Sequence, residues 1–150
     1  MEAHEALLET LERELRCVDR LLGLGRQKQE RLDDHEQLAL ITAQEDAILQ
    51  RLQQAETQRQ TLFDVIAPGR TLRAWLADEG ELQMKFAPVV ERLASAFVEL
   101  RAVNDTNTQL IAESLAYVRF SLNLLNHSGP TVYGRSGHKD VSHSLFNRKV

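Results

Sequence analysis

The fold is decided by residues 91–126, which read ERLASAFVELRAVNDTNTQLIAESLAYVRFSLNLLN. They lie within residues 89–128, a run of 40 residues that contains neither glycine nor proline. Apolar residues recur in it at spacings of three and four, which is the pattern of a helix with one apolar face. We predict one long helix that has Pro88 in its first turn and ends near Asn126. Its stripe consists of Leu93, Ala96, Phe97, Leu100, Val103, Asn107, Leu110, Ser114, Val118, Leu122 and Leu125.

An earlier segment, from Glu5 to Leu32, shows the same periodicity. Its apolar residues again recur at spacings of three and four, so we predict a helix with one apolar seam. Gly23 and Gly25 weaken a helix interior, but strong helix formers follow them, and we predict that the helix continues. The seam consists of Leu8, Leu11, Leu15, Val18 and Leu22.

A second long helix is predicted after a turn at residues 33–37. Asp34 is placed to cap it, with Gln37 three residues further on. Pro68-Gly69 ends it after Ile66. Arg59 falls in the register of its apolar face and interrupts that face. The face consists of Leu38, Ile41, Ile48, Leu52, Ala55, Leu62 and Ile66.

A short helix is predicted from Thr71 to Asp78, and it carries Trp75, which we expect to cover one end of the bundle together with Phe86. Because 40 helical residues extend about 60 Å, long helices of this kind form an elongated domain. The predicted fold is all-α: an elongated antiparallel bundle of three long helices with one short helix and a flexible C-terminal tail.

The periodicity stops after His127, which divides the chain into a helical bundle, residues 1–127, and a flexible basic tail, residues 128–150. Val141, Leu145 and Phe146 form a weak apolar face within this tail. The tail has a net charge of +3 in a chain whose total is −4. Its charged residues are Arg135, Lys139, Asp140, Arg148 and Lys149.

Composition excludes several classes of partner and compartment. The net negative charge argues against nucleic acid, which requires clustered lysine and arginine. Cys17 is the only cysteine, so an intramolecular disulfide is excluded. No apolar run approaches the roughly 20 residues of a membrane span, and the acidic N-terminus does not resemble a signal peptide. We therefore expect a cytoplasmic protein without membrane insertion.

The residues that usually carry chemistry do not form a constellation. The Glu-x-x-His motif of carboxylate-bridged bundles is absent, and the five histidines are scattered. Cys17 lies on an amphipathic segment, where a small buried hydrophobe is the expected role rather than a reactive thiol. A phosphate-binding loop is also lacking. We therefore predict no enzyme activity, no cofactor and no metal.

The last helix raises the question of what covers its apolar stripe. If this helix outruns its two long partners, part of the stripe is an incomplete seam, and a foreign amphipathic helix would be bound there by burial of apolar surface. Asn104 and Asn107 have two interpretations. They fix the register within the bundle, or they bond the backbone of a partner.

Several motifs resemble the FlgN family of flagellar export chaperones. Residues 7–15, LLETLEREL, are similar to the first helix of the family, and Glu36-Gln37-Leu38 with Gln44-Glu45 and Leu49 resembles the second. Residues 104–111, NDTNTQLI, followed by Ser114-Leu115 and Leu122-Asn-Leu-Leu125, resemble its last helix. Residues 131–137, TVYGRSG, resemble its Tyr-Gly tail motif.

The resemblance implies a chaperone that binds the hook–filament junction proteins FlgK and FlgL, prevents their premature association and delivers them to the export gate protein FlhA. By position, it implies that Tyr133 and Gly134 dock to the export gate. It also implies that the amphipathic C-terminal segment of the client is bound by Asn107, Leu110, Leu115, Val118, Leu122 and Leu125. The alternative is a structural coiled-coil protein that self-associates, for which a homodimer is expected.

Overall fold

The computed structural model describes residues 2–125, with only the backbone described at 117 and 118. It contains four helices in this range: α1 (Glu2–Glu30), α2 (His35–Ile66), α3 (Leu72–Leu76) and α4 (Glu81–Leu125). The predicted all-α fold with three long helices and one short helix is confirmed. The predicted tail, residues 128–150, lies outside the described residues.

Helix α1 is the central element, because both α2 and α4 pack along it. The apolar face of α1 is wide enough to pack against two helices, and most of the core leucines belong to α1. The helix continues through Gly23 and Gly25, as predicted. Its observed bounds are shifted by two or three residues towards the N-terminus relative to the predicted Glu5 to Leu32.

The relative directions of the helices follow from contacts near the two ends of α1. Arg59 of α2 approaches Glu14, whereas Glu45, which is earlier in α2, pairs with Lys28, which is later in α1. Helix α2 is therefore antiparallel to α1. His4 and Phe86, near the starts of α1 and α4, both contact Trp75, whereas Gly25, near the end of α1, is bonded to Asn107 of α4. Helix α4 therefore runs parallel to α1 and antiparallel to α2.

Local signals set the start of α2 as expected. The Asp34 carboxylate accepts a hydrogen bond from the backbone N–H of Gln37 at 3.1 Å, which caps the first turn. The predicted apolar face is buried from Leu38 to Ala55. Towards the end of α2, Phe63 is buried while Leu62 and Ile66 are only partly so. Phe63 was not in the predicted face, because a stripe counted in heptads drifts around a helix of 3.6 residues per turn.

Aromatic side chains close the end of the bundle at which α1 begins. The Trp75 ring lies 5.9 Å from Phe63 and 5.3 Å from Phe86, both edge-to-face, and stacks on His4 at 6.4 Å. The expected covering role of Trp75 and Phe86 is confirmed. Helix α4 begins at Glu81, seven residues before Pro88, so the prediction that Pro88 lies in the first turn was wrong: Pro88 lies inside the helix.

A buried carboxylate sits in the middle of the α1–α2 seam. Glu14 is fully buried, and the Nε of Arg59 lies 3.3 Å from its Oε1 without hydrogen-bond geometry. Arg59 thus interrupts the apolar face of α2 because it faces this charge. Burial raises the pKa of the Glu14 carboxyl from 4.5 to about 7, and the positive charge of Arg59 opposes the rise only in part.

This raised pKa makes the stability of the bundle depend on pH. Between about pH 4.5 and 7 the folded chain keeps a proton on Glu14 that the unfolded chain has lost, so the free energy of unfolding falls as pH rises through this window. Glu14→Gln cannot titrate. We expect the free energy of unfolding of Glu14→Gln, minus that of the unsubstituted chain, to be lowest near pH 4.5. By pH 7.5 this difference should have grown by about 3 kcal/mol, measured by urea unfolding.

Glu12→Gln is the matched control, because Glu12 lies one half-turn away on α1 and is exposed. Its stability should follow that of the unsubstituted chain at every pH. Parallel pH profiles for Glu14→Gln and Glu12→Gln would contradict the assignment of the proton to Glu14.

Candidate functional site

The register of α4 on α1 is set by a close contact near the end of α1. The side-chain Nδ2 of Asn107 donates a hydrogen bond to the backbone carbonyl of Gly25 at 2.8 Å. Only glycine permits this approach, because a Cβ at position 25 would lie 2.7 Å from Cγ1 of Val103. The next residue of α1, Arg26, pairs through its guanidinium with the carboxylate of Glu99 of α4 at 3.2 Å, and both side chains are exposed.

Asn107 faces the interior of the bundle. Its side chain is 5% exposed, its amide nitrogen is used by Gly25, and its Oδ1 has no hydrogen-bond partner in the structure. A buried polar group that is satisfied only in one alignment of two helices disfavours the other alignments. The geometry therefore matches the register-fixing interpretation of Asn107. Asn104 is half-buried.

Helix α4 outlasts its partner beyond this contact. Glu30, the last residue of α1, lies at the level of about residue 112 of α4, since the two helices run parallel from the Gly25–Asn107 contact. Ile111 is the last buried side chain described in α4. We call residues 112–125 the overhang; at 1.5 Å per residue it is about 21 Å long.

The overhang is apolar and exposed. None of its described side chains is buried. Exposed large hydrophobic residues are more closely spaced there than on any other described part of the surface. The exposed fractions are 36% for Leu115, 60% for Phe120, 51% for Leu122, 60% for Leu124 and 78% for Leu125. Elsewhere large hydrophobic residues are exposed singly, at Leu40, Val65, Met84 and Val98, as is normal for a protein surface.

These residues occupy two faces of the overhang. At 100° per residue, Leu122 and Leu125 continue the stripe that is buried against α1 at Leu100 and Ile111, and Leu115 lies towards its edge. Phe120 and Leu124 lie on the opposite face. A helix that is apolar on two sides is normally covered on both of them. The overhang therefore has two uncovered apolar faces rather than one.

Charge contributes little to the overhang itself. Glu113 and Arg119 are its only charged residues. Binding at this surface would therefore depend on burial of apolar area rather than on ion pairing. Acidic side chains follow the end of α1, which lies level with the base of the overhang; they are Asp33, Asp34 and Glu36, all of them exposed.

The residues expected to bind a client fall into three groups. Leu115, Leu122 and Leu125 are exposed on the overhang, Leu110 is half-buried at its base, and Asn107 is enclosed. The side chain of Val118, and all of Tyr133 and Gly134, lie outside what the structure describes. Sequence reasoning missed Phe120 and Leu124, because it followed one stripe; the apolar density of residues 110–125 was the signal that could have found them.

The described chain offers little for catalysis. Cys17 packs against the hydrophobic core, and burial raises the pKa of its thiol, which disfavours the reactive thiolate. Within residues 2–125, His, Cys, Asp and Glu side chains do not gather in groups of three that could hold a metal ion. The helices of this range contain no stretch long and apolar enough to cross a membrane.

Comparison with known proteins gave one match. A protein-family model described as FlgN protein matches residues 1–140, which includes the whole described bundle and leaves residues 141–150 outside the match. Searches of curated proteins and of solved structures gave no match.

The two glycines of α1 allow the α1–α4 contact to be tested. Gly23→Ala introduces a methyl group into open space and should raise the free energy of unfolding by about 0.5–1 kcal/mol through helix propensity alone. Gly25→Ala gains the same propensity but forces Val103 aside. We expect a net loss of about 1–3 kcal/mol, measured by urea unfolding. Equal stabilisation by both substitutions would show that α1 and α4 are not in close contact at Gly25.

Proposed function

The chain belongs to the FlgN family of flagellar export chaperones, and on this premise we propose that its overhang binds the amphipathic C-terminal segment of the hook–filament junction proteins FlgK and FlgL. The observation that carries the proposal is the exposure of Leu115, Leu122 and Leu125 on a helix that extends past its partner. These three leucines are among the six client-binding positions that the family resemblance implies.

The binding mechanism is the completion of a helical seam. The stripe that α4 buries against α1 continues onto the overhang, where α1 is no longer present, and an amphipathic helix of the client takes that place. Each leucine that becomes buried contributes roughly 1.5–3 kcal/mol at most. The client orders on binding, which offsets part of this gain, so the complex is reversible and suited to release at an export apparatus.

Masking follows from the same contact. A client segment covered by the overhang cannot pair with other copies of the client. On this proposal residues 1–127 hold the client in the cytoplasm, and the basic tail, residues 128–150, carries Tyr133 and Gly134 to the export gate protein FlhA. The support for the tail role is the resemblance of residues 131–137 to the tail motif of the family.

Self-association is the second candidate. Phe120 and Leu124 form an apolar face opposite the proposed client face, and two copies could pair through it as a structural coiled coil. Sedimentation velocity separates the two functions. A stable dimer that does not respond to FlgK or FlgL favours the scaffold, whereas a species that gains the mass of a client favours the chaperone.

A double substitution tests the client face. Leu122→Asp with Leu125→Asp places two charges on the overhang, where neither leucine supports the core, so helicity by circular dichroism should be retained. Affinity for the FlgK C-terminal segment should fall at least 100-fold in a titration, because two desolvated carboxylates replace two buried leucines.

The matched control is Leu40→Asp, the same chemical change at a leucine that is 57% exposed on α2. It should leave affinity within about twofold. The proposal fails if the unsubstituted chain does not bind FlgK or FlgL at micromolar concentration, or if Leu40→Asp and the double substitution weaken binding equally.

A further inference from the structure

We propose that, before a client binds, residues 141–149 of the chain itself cover the client face of the overhang, the stripe of Leu115, Leu122 and Leu125. This inference rests on the proposed function, since it assigns the state from which the client is bound. It identifies the occupant of an apolar surface that the rest of the bundle leaves open.

The segment has the composition that such a surface recruits. Val141, Leu145 and Phe146 are large hydrophobic residues that follow Tyr133, as does Val150. The spacing of the first three, four and one, is compatible with one face of a helix. They lie beyond residue 140, where the family match ends. The proposed cover therefore lies outside the part of the chain that the family model matches.

The connecting chain has the right length. Fifteen residues, 126–140, join the end of the overhang to Val141, and they include Gly129, Pro130, Gly134 and Gly137. A linker of this length and composition has a root-mean-square span of about 19–23 Å. That equals the length of the overhang, so the local concentration of the segment at the overhang reaches the millimolar range.

Charge indicates the direction in which residues 141–149 run along the overhang and the face of the overhang that they cover. A segment that turns back at the end of α4 runs towards the bundle, so Arg148 and Lys149 approach the α1–α2 turn. The turn and the start of α2 carry exposed Asp33, Asp34 and Glu36, and the turn begins directly after Glu30, which lies level with the base of the overhang. The side facing α1 is also the side that carries Leu115 and Leu122, which places the cover on the client face and makes client and cover exclusive.

Substitutions in the tail of the full chain test the proposal without disturbing the bundle. Leu145→Asp with Phe146→Asp removes the apolar contacts of the cover. Ser144→Asp with Asn147→Asp is the matched control, because it adds the same two charges and leaves the apolar residues in place. The first measurement is fluorescence of the apolar dye bis-ANS, which needs no client.

We expect the Leu145/Phe146 variant to bind several-fold more dye than the control. In a background of Leu122→Asp with Leu125→Asp this increase should disappear, because the surface uncovered is then no longer apolar. Equal dye binding by the two tail variants overturns the proposal. The proposal is also overturned if dye binding by the unsubstituted chain rises on dilution and is unaffected by the tail substitutions, because a second copy of the chain would then cover the surface.

The second measurement is affinity for the FlgK C-terminal segment. If the cover is closed nine-tenths of the time, opening it tightens the apparent affinity roughly tenfold. An unchanged affinity, alongside normal client binding, overturns the cover and leaves the proposed function intact. A rise in dye binding in a chain that binds no client supports the cover and overturns the proposed function instead.

Discussion

The unequal length of two parallel helices is the constraint on which the rest of the structure depends. Helix α4 has 45 residues and α1 has 29, and both begin at the same aromatic end of the bundle. The hydrogen bond from Asn107 to the Gly25 carbonyl prevents α4 from sliding back to share the excess between its two ends. Most of the excess therefore emerges at one end, as the overhang of residues 112–125.

The overhang has to stay helical and yet expose apolar residues to water. An isolated helix of this length is marginal in water, but here it continues a helix that the bundle has already nucleated. Its apolar residues would be a liability on an ordinary surface. Under the proposed function they are the means of holding a client, since a nearly uncharged surface binds amphipathic helices by burial without requiring one particular charge pattern.

Much of this architecture could be predicted from local chemistry. The apolar stripes, the Asp34 cap and the Pro68-Gly69 stop identified the long helices, because each signal acts within a few residues. The register between α1 and α4 could not be predicted, since it depends on a glycine and an asparagine 82 positions apart. For the same reason Asn107 was expected at the client surface, whereas the structure encloses it. Phe120 and Leu124 were missed because a one-stripe pattern assumes that one side of a helix faces water.

Hydrogen–deuterium exchange of the full chain, with and without the FlgK C-terminal segment, tests most directly whether the client completes the unfinished seam of α4. We predict that bound client slows amide exchange within residues 112–125. Exchange should stay unchanged in α1, up to residue 30, and in the part of α2 that follows residue 45. Slowed exchange confined to α1 and α2, with none in residues 112–125, would contradict the account, because the client would then bind a surface that the bundle already covers.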